Sequence, residues 1–437
     1  MGKNELGSFF NKLLLESKAY SDIENIQSLV ETKEGLQSLP VQPLYFYLKR
    51  QTIERTSELI PALSKEQRQA ILDIDLWSKD DLDVKGFDSW LAIFDRVSVD
   101  DIKTEFLKSS EFALFLKGRF NISTFDKEDP QYPEHEHFFL TDDDLLLIEY
   151  EENFPYAKEL QEGIRFLYYQ MGVEKAYSYL FKLTVDSFSS FQEDEYRNKK
   201  ERLRDYGFVD YFDALEFVSA FPSESHIHYH VKTRIKENLT PAIDLEGQNQ
   251  ILHHDALIPY EDKIQSYDKE LFETIEDGRI PYLKFNFLRL INGSLELDQA
   301  LKSGRLAMNR TAKKVMHHLD LGIDFVKTQY SDHQKDFFNF LDFVDLYKIG
   351  FSLISLKKSE VNKALRKNGF LNADDESFFG AYLNNYLDSL MQDCPKLKIK
   401  WGEHELELES SNMKNFESWK DIHEFFIAFR LNTSAIR

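Results

Sequence analysis

The 437-residue sequence holds a single cysteine, Cys394, so no disulfide can form within the chain. That usage suits a reducing compartment. Glycine and proline are sparse, with 17 and 11 residues against 37 phenylalanines and 21 tyrosines, which argues against a loop-rich or disordered chain. Long apolar runs are missing too. The opening, MGKNELGSFFNKLLLESKAY, is interrupted by Glu5, Lys12, Glu16 and Lys18 and offers no signal-peptide core. Leu6 stands where a myristoylation motif beginning at Gly2 needs Ser or Thr. The most apolar later stretch, 337–356, carries Asp342, Asp345 and Lys348 and falls short of the roughly 20 apolar residues of a membrane helix. Positive charge is also in short supply: 54 Lys and Arg face 76 Asp and Glu, a formal charge of -22. This balance argues against duplex nucleic acid and anionic membrane faces, both of which are negative. The richest basic run, RNKKERLR at 197–204, contains Glu201 and is flanked by Glu193, Asp194, Glu195 and Asp205, the pattern of a solvated helix face. The expectation is a cytoplasmic protein with no nucleic-acid partner and no membrane insertion.

What is present is helical periodicity. Residues 1–38 read as an N-terminal helical extension with Phe9, Phe10, Leu13, Leu14 and Leu15 as its apolar part. A helical domain follows at 39–118. There, Pro40 and Pro43 break the chain, Leu44 to Leu59 resumes a helix, and Ser64 with Gln67 forms a capping-box start followed by Ala70, Ile71, Ile74 and Trp77 at helical spacing. Phe87, Trp90, Leu91 and Phe94 mark another helix. Ser98 with Asp101 starts the next, with Ile102 and Phe106 inward. Residues 119–221 read as a hairpin plus helices: Phe138 to Leu140 and Leu145 to Tyr150 flank the turn-like 141–144. Leu160, Ile164, Leu167 and Met171 then form a helix stopped by Gly172, and Gly207 precedes a helix capped by Asp210. Residues 222–259, with Pro222, Pro241 and Pro259 and no sustained apolar period, read as a linker-like segment. Residues 260–437 form a C-terminal helical domain, with stripes at Leu283, Phe287, Leu290 and Ile291, at Phe337 through Ile354, and at Trp419, Ile422, Phe426 and Phe429. It carries a β-hairpin at 396–409 in which Leu397 faces Leu408 and Ile399 faces Leu406 across a turn at Gly402 and Glu403. The fold expected is mainly α, a multi-helix array with small β-hairpins near 138–150 and 396–409.

Two constellations suggest chemistry. Asp73 and Asp75, if extended, would lie on one side of a strand like the aspartate pair of haloacid-dehalogenase-type phosphoryl-transfer enzymes. Trp77 stands where that motif wants a small residue, and the Ser64 cap places both aspartates on a helix instead. His226, His228 and His230 would fall on one side of an extended chain and hold zinc or iron, with His253, His254 and Asp255 completing the shell. The plain alternative is a surface histidine cluster. His317 and His318 sit in a helical stretch, and Cys394 beside Pro395 has no partner base fixed by the sequence. There is no phosphate loop, dinucleotide fingerprint, H-E-x-x-H, G-x-S-x-G or EF-hand loop.

Residues 59–77 (LIPALSKEQRQAILDIDLW), Asp80 with the Trp90-Leu91 pair, and 204–215 (RDYGFVDYFDAL) resemble a family of uncharacterised bacterial proteins known as a domain of unknown function. The resemblance covers about 39–392 and brings no activity, cofactor or site with it. The Ser64 to Trp77 helix is also faintly similar to the intracellular helical domain preceding some magnesium channels, though no membrane segment accompanies it here. The reading is a non-catalytic interaction or regulatory module with a protein partner and no cofactor. The alternative is a metal-dependent, hydrolase-like enzyme using His226, His228 and His230.

Overall fold

The computed structural model describes residues 27–185, 187–237, 275, 279–367, 389–398, 413–416 and 418–423. The chain passes from one compact unit to another between Tyr206 and Gly207. Helices dominate both, and each β element is small and antiparallel.

The first unit opens with α1 (Lys33–Ser38), α2 (Val41–Leu48), α3 (Ile53–Leu59) and α4 (Lys65–Leu76). The single helix expected over 44–59 is two helices. Thr52 caps α3 by accepting from the Arg55 amide at 3.3 Å, a local cap that overrides the continuous apolar period. The Ser64 box forms as expected: Ser64 Oγ accepts from the Gln67 amide and Gln67 Oε1 from the Ser64 amide, each at 3.1 Å. Gln67 also reaches back, its Nε2 donating to the carbonyls of Leu36 at 3.1 Å and Leu39 at 3.0 Å, which fastens the end of α1 to the start of α4. Trp77 lies just past α4, in extended backbone. There β1 (Trp77–Ser78) pairs with β2 (Asp81–Leu82) around Lys79 at φ 60. The indole is buried all the same.

Next come α5 (Phe87–Asp95), α6 (Asp100–Leu107) and α7 (Ser110–Arg119). Helix α6 is capped at Val99 without a side-chain bond, so Ser98 does not start it. These three helices share a phenylalanine core: Phe94 stacks on Phe106 with centroids 3.9 Å apart, and Phe87 on Phe115 at 4.4 Å. Strands β3 (Asn121–Thr124), β4 (Phe138–Leu140) and β5 (Leu146–Glu149) form one sheet in the order β3-β5-β4. The expected hairpin is there, with Phe139 opposite Ile148, and β3 adds a strand that the sequence reading did not place. Helices α8 (Ala157–Met171), α9 (Val173–Val185) and α10 (Phe188–Asp205) close the unit, Gly172 turning the chain at φ 78.

The second unit begins with α11 (Tyr211–Ala214), capped by Asp210 as expected. Then α12 (Glu224–Glu237) occupies the segment read as a linker. A helix holds there because Ile227 and Val231, four residues apart, are both buried. Helices α13 (Ile280–Leu297), α14 (Ala300–Ser303), α15 (Arg305–Gln329) and α16 (Phe343–Lys367) follow, then β6 (Lys396–Lys398) paired with β7 (Met413–Asn415). Lys396–Lys398 is a strand as expected, but its observed partner is 413–415, and the expected partner strand at 405–409 lies outside the described residues. The core of the unit is the α15/α16 pair. Where they cross, a Cβ on Gly322 would stand 1.9 Å from the Leu346 carbonyl oxygen, and one on Gly350 would stand 1.9 Å from that of His318, so the two backbones touch through glycine.

Candidate functional site

The aspartates that interrupt the apolar stretch 337–356 form a buried polar centre among the described residues of the second unit. The chain makes a short 3₁₀ turn at Phe337–Asn339 and re-enters helix at Phe343, so the aromatic stripe expected from 337 is broken just before α16. Asp342 and Asp345 cap α16 reciprocally: the Asp345 amide donates to Asp342 Oδ1 at 2.9 Å, and the Asp342 amide donates to Asp345 Oδ2 at 3.2 Å. Carboxylates are suited to this place because the first amides of a helix lack partners and its dipole is positive there. The two remaining oxygens are also taken. Tyr282 of α13 donates its hydroxyl to Asp342 Oδ2 at 2.8 Å. His230 Nε2 of α12 lies 2.9 Å from Asp345 Oδ1, and Arg234 Nη2, one turn on, donates to the same oxygen at 3.2 Å. Arg279, at the start of α13, lies 4.5 Å over the Tyr282 ring and donates from Nε to the Phe338 carbonyl at 3.1 Å.

The two carboxyls are driven apart in acidity. Burial, then the neighbouring charge of Asp345, pushes Asp342 up to about 6. Burial alone would raise Asp345 as well, but the hydrogen bond from His230 and the charge of Arg234 outweigh it and hold this carboxyl below its ordinary range. Burial followed by the charge of Asp342 pushes the Tyr282 phenol up, so it stays a donor. A carboxylate at Asp345 accepts only, which puts the proton of His230 on Nε2. Divergent carboxyl acidities are what acid–base chemistry requires. Here, however, all four oxygens accept hydrogen bonds from within the unit, and what they accomplish is mechanical: α12 and α13 are fastened to the start of α16.

The three histidines of the metal hypothesis therefore part company. On a helix, His226 and His230 lie one turn apart and His228 lies on another side. His226 Nδ1 is 2.8 Å from Ser223 Oγ, His228 Nδ1 is 2.8 Å from Tyr330 Oη with its ring against Phe325, and His230 belongs to Asp345. The extended chain assumed for their convergence is absent. His253, His254 and Asp255 lie outside the described residues. Among the described residues no group of three or more His, Cys, Asp and Glu is placed to hold a metal ion. His318 is buried against the rings of Tyr347 and Phe351, and burial holds its pKa well below the ordinary value, so the ring is neutral.

Asp73 and Asp75 lie on α4 as the cap predicted, and they point to different partners. Asp75 accepts from Tyr45 Oη at 2.8 Å and Trp90 Nε1 at 2.7 Å and pairs with Lys49 at 3.0 Å. Asp73 goes instead to Arg202, so the basic run at 197–204 is not wholly a solvated face: Arg202 and Lys199 turn inward. The Asp342/Asp345 centre had a readable signal, an aspartate followed three residues later by another after an apolar run, which is cap spacing. Its partners on α12 and α13 had none.

A family model described as a family of unknown function, DUF6178, matches residues 10–425. The chain belongs to this family. No match was found among curated proteins or among solved structures. For DUF6178 the match carries no activity to compare with the geometry, so the reading of function rests on this chain's own residues. Among the described residues no helix is long and apolar enough to cross a membrane.

Proposed function

We propose that the chain is a non-catalytic interaction or regulatory module of the cytoplasm that binds a protein partner. The observation that carries this reading is an apolar row on α9 of the first unit, exposed at Val173 and Phe181. Val173, the half-buried Tyr177 and Phe181 follow one another at i, i+4 and i+8 along α9, and Tyr169 is exposed near the end of α8, before the turn at Gly172. Tyr169 is 82% exposed, Val173 56% and Phe181 37%, and the Tyr177 and Phe181 rings stack at 5.6 Å. Aromatic residues grouped on a surface are characteristic of binding patches. The polar centres, by contrast, are spent on holding helices together.

Affinity capture from the native cell tests the reading, comparing the wild type with a Tyr169→Ser, Tyr177→Ser, Phe181→Ser variant whose fold is checked by circular dichroism. The expected result is a specific protein enriched by the wild type and lost by the variant. A wild type that enriches nothing, or a variant that captures the same protein equally well, refutes it.

A further inference from the structure

Arg202, near the end of α10, is the meeting point of three buried carboxylates from three helices. Its Nη2 lies 2.8 Å from Asp73 Oδ1 of α4, 2.7 Å from Glu195 Oε1 of α10 and 3.2 Å from Glu111 Oε1 of α7, while its Nε reaches Asp73 Oδ2 at 2.9 Å. Gln69 Nε2 of α4 bridges the acids, donating to Glu111 Oε1 at 2.7 Å and Asp73 Oδ1 at 3.2 Å. The three carboxylate side chains are 0%, 1% and 5% exposed. One part-exposed guanidinium against three ionised carboxylates would leave a surplus of negative charge on buried oxygens, which is unfavourable. A proton relieves it. Glu111 is the group to carry it, because Asp73 takes two arms of the guanidinium, Glu195 the shortest contact and Glu111 the longest. Glu111 Oε1 accepts from Gln69 and Arg202, and a backbone hydrogen bond to the same carboxyl opposes protonation without outweighing burial.

We infer that this centre is a proton lock. With the proton on Glu111 it fastens α10 to α4 and α7, and loss of the proton loosens α10, the last helix before the chain crosses at Tyr206–Gly207. The acidity agrees in direction: burial first, then the charges of Asp73 and Glu195, pushes Glu111 up to about 8, and burial raises Asp73 against the pull of Arg202. Other charged groups on the elements around α7 have contacts of their own. Lys199 donates to the Lys79 carbonyl, Arg68 pairs with Glu105, Arg119 with Asp88, and Lys117 reaches the Leu183 carbonyl. Tyr179 of α9 donates to the Leu107 carbonyl, and Asp81 of β2 accepts from Gln192. A raised carboxyl stabilises the fold in full below its unfolded pKa, and that contribution is lost as pH rises through the folded value, here about 8.

Hydrogen–deuterium exchange of the full chain between about pH 6 and pH 9, corrected for intrinsic exchange, tests the lock. Amides of 188–205 should lose up to roughly a hundredfold more protection than those of α8 across this range, since each of the two pH units between 6 and the folded value of about 8 carries a factor of ten. Glu111→Gln, a permanent mimic of the protonated acid, should keep that protection flat. In the wild type, infrared difference spectra should show a protonated carboxyl band at neutral pH that is gone by about pH 9, a readout independent of the variant. A pH-independent α10, an unchanged pH response in Glu111→Gln, or no such band at neutral pH overturns the inference.

Discussion

Gly350→Ala places one methyl group where α15 and α16 cross, and the structure sets its effect. The new Cβ would stand 1.9 Å from the His318 carbonyl oxygen and 3.0 Å from the Gly322 amide nitrogen. Both obstacles are backbone, so neither can swing aside as a side chain would. The helices must separate by about 1 Å, and a gap of that size forfeits a quarter to a half of the dispersion attraction of each affected pair. Leu319, Leu346 and Leu353 on these helices are buried, and the buried His318 ring of α15 packs on Tyr347 and Phe351 of α16. Overpacking of this kind costs about 3 kcal/mol, at the upper end of the usual range, because the whole crossing must move. Alanine recovers about 1 kcal/mol through its better helix propensity. The expected net loss is about 2 kcal/mol, a fall of roughly 4 to 8 °C in Tm for a unit of this size. Scanning calorimetry gives the number, and hydrogen exchange on α15 and α16 localises it. Asn362→Ala, on an exposed turn of the same helix, is the control and should leave Tm unchanged or slightly raised. A Gly350→Ala protein at least as stable as the wild type would refute the close-crossing argument.

Three further outcomes are expected. Gln67→Glu should lose about 2 kcal/mol in chemical denaturation even though Glu is a normal capping-box partner, because the carboxylate would face the Leu36 and Leu39 carbonyls; a neutral result would show that those contacts carry no weight. Trp77→Ala removes a buried indole and should cost about 3 to 5 kcal/mol, and a variant that folds normally but loses its partner would instead place Trp77 in a functional surface. The Asp342/Asp345 pair should respond to pH in opposite senses. Asp342, raised to about 6, contributes stability that is full below the ordinary carboxyl range and lost as pH rises through 6, whereas Asp345, lowered, contributes stability present above that range and lost in acid. Asp342→Asn should therefore flatten the decline of Tm between about pH 4 and 6, whereas Asp345→Asn should remove the loss of stability that sets in below about pH 4; identical pH profiles for the two variants would contradict the assignment.

Local features were legible because their causes are local. The Ser64 box, the Gly172 and Gly207 stops, the Asp210 cap and the 138–150 hairpin each depend on residues a few positions apart, and each lies where the spacing put it. Apolar periodicity likewise announced a mainly helical chain. It failed at 44–59, where a threonine cap divides one period into two helices, and at 224–237, where three neighbouring prolines and a run of histidines concealed a helix that buries Ile227 and Val231.

What sequence spacing cannot carry is a partner 91 to 129 residues away. Arg202 reads as one charge in a solvated run until folding surrounds it with Asp73 and Glu111 from two other helices. His230 reads as one of three equivalent metal ligands until the turn of α12 assigns it to Asp345 and sends its neighbours to other groups. By itself the sequence determined the charge balance, the helical texture and the caps, since these follow from composition and short-range hydrogen bonding. The tertiary structure alone decided which charges are buried together and where glycine lets two backbones meet, because burial and proximity arise only when distant segments pack.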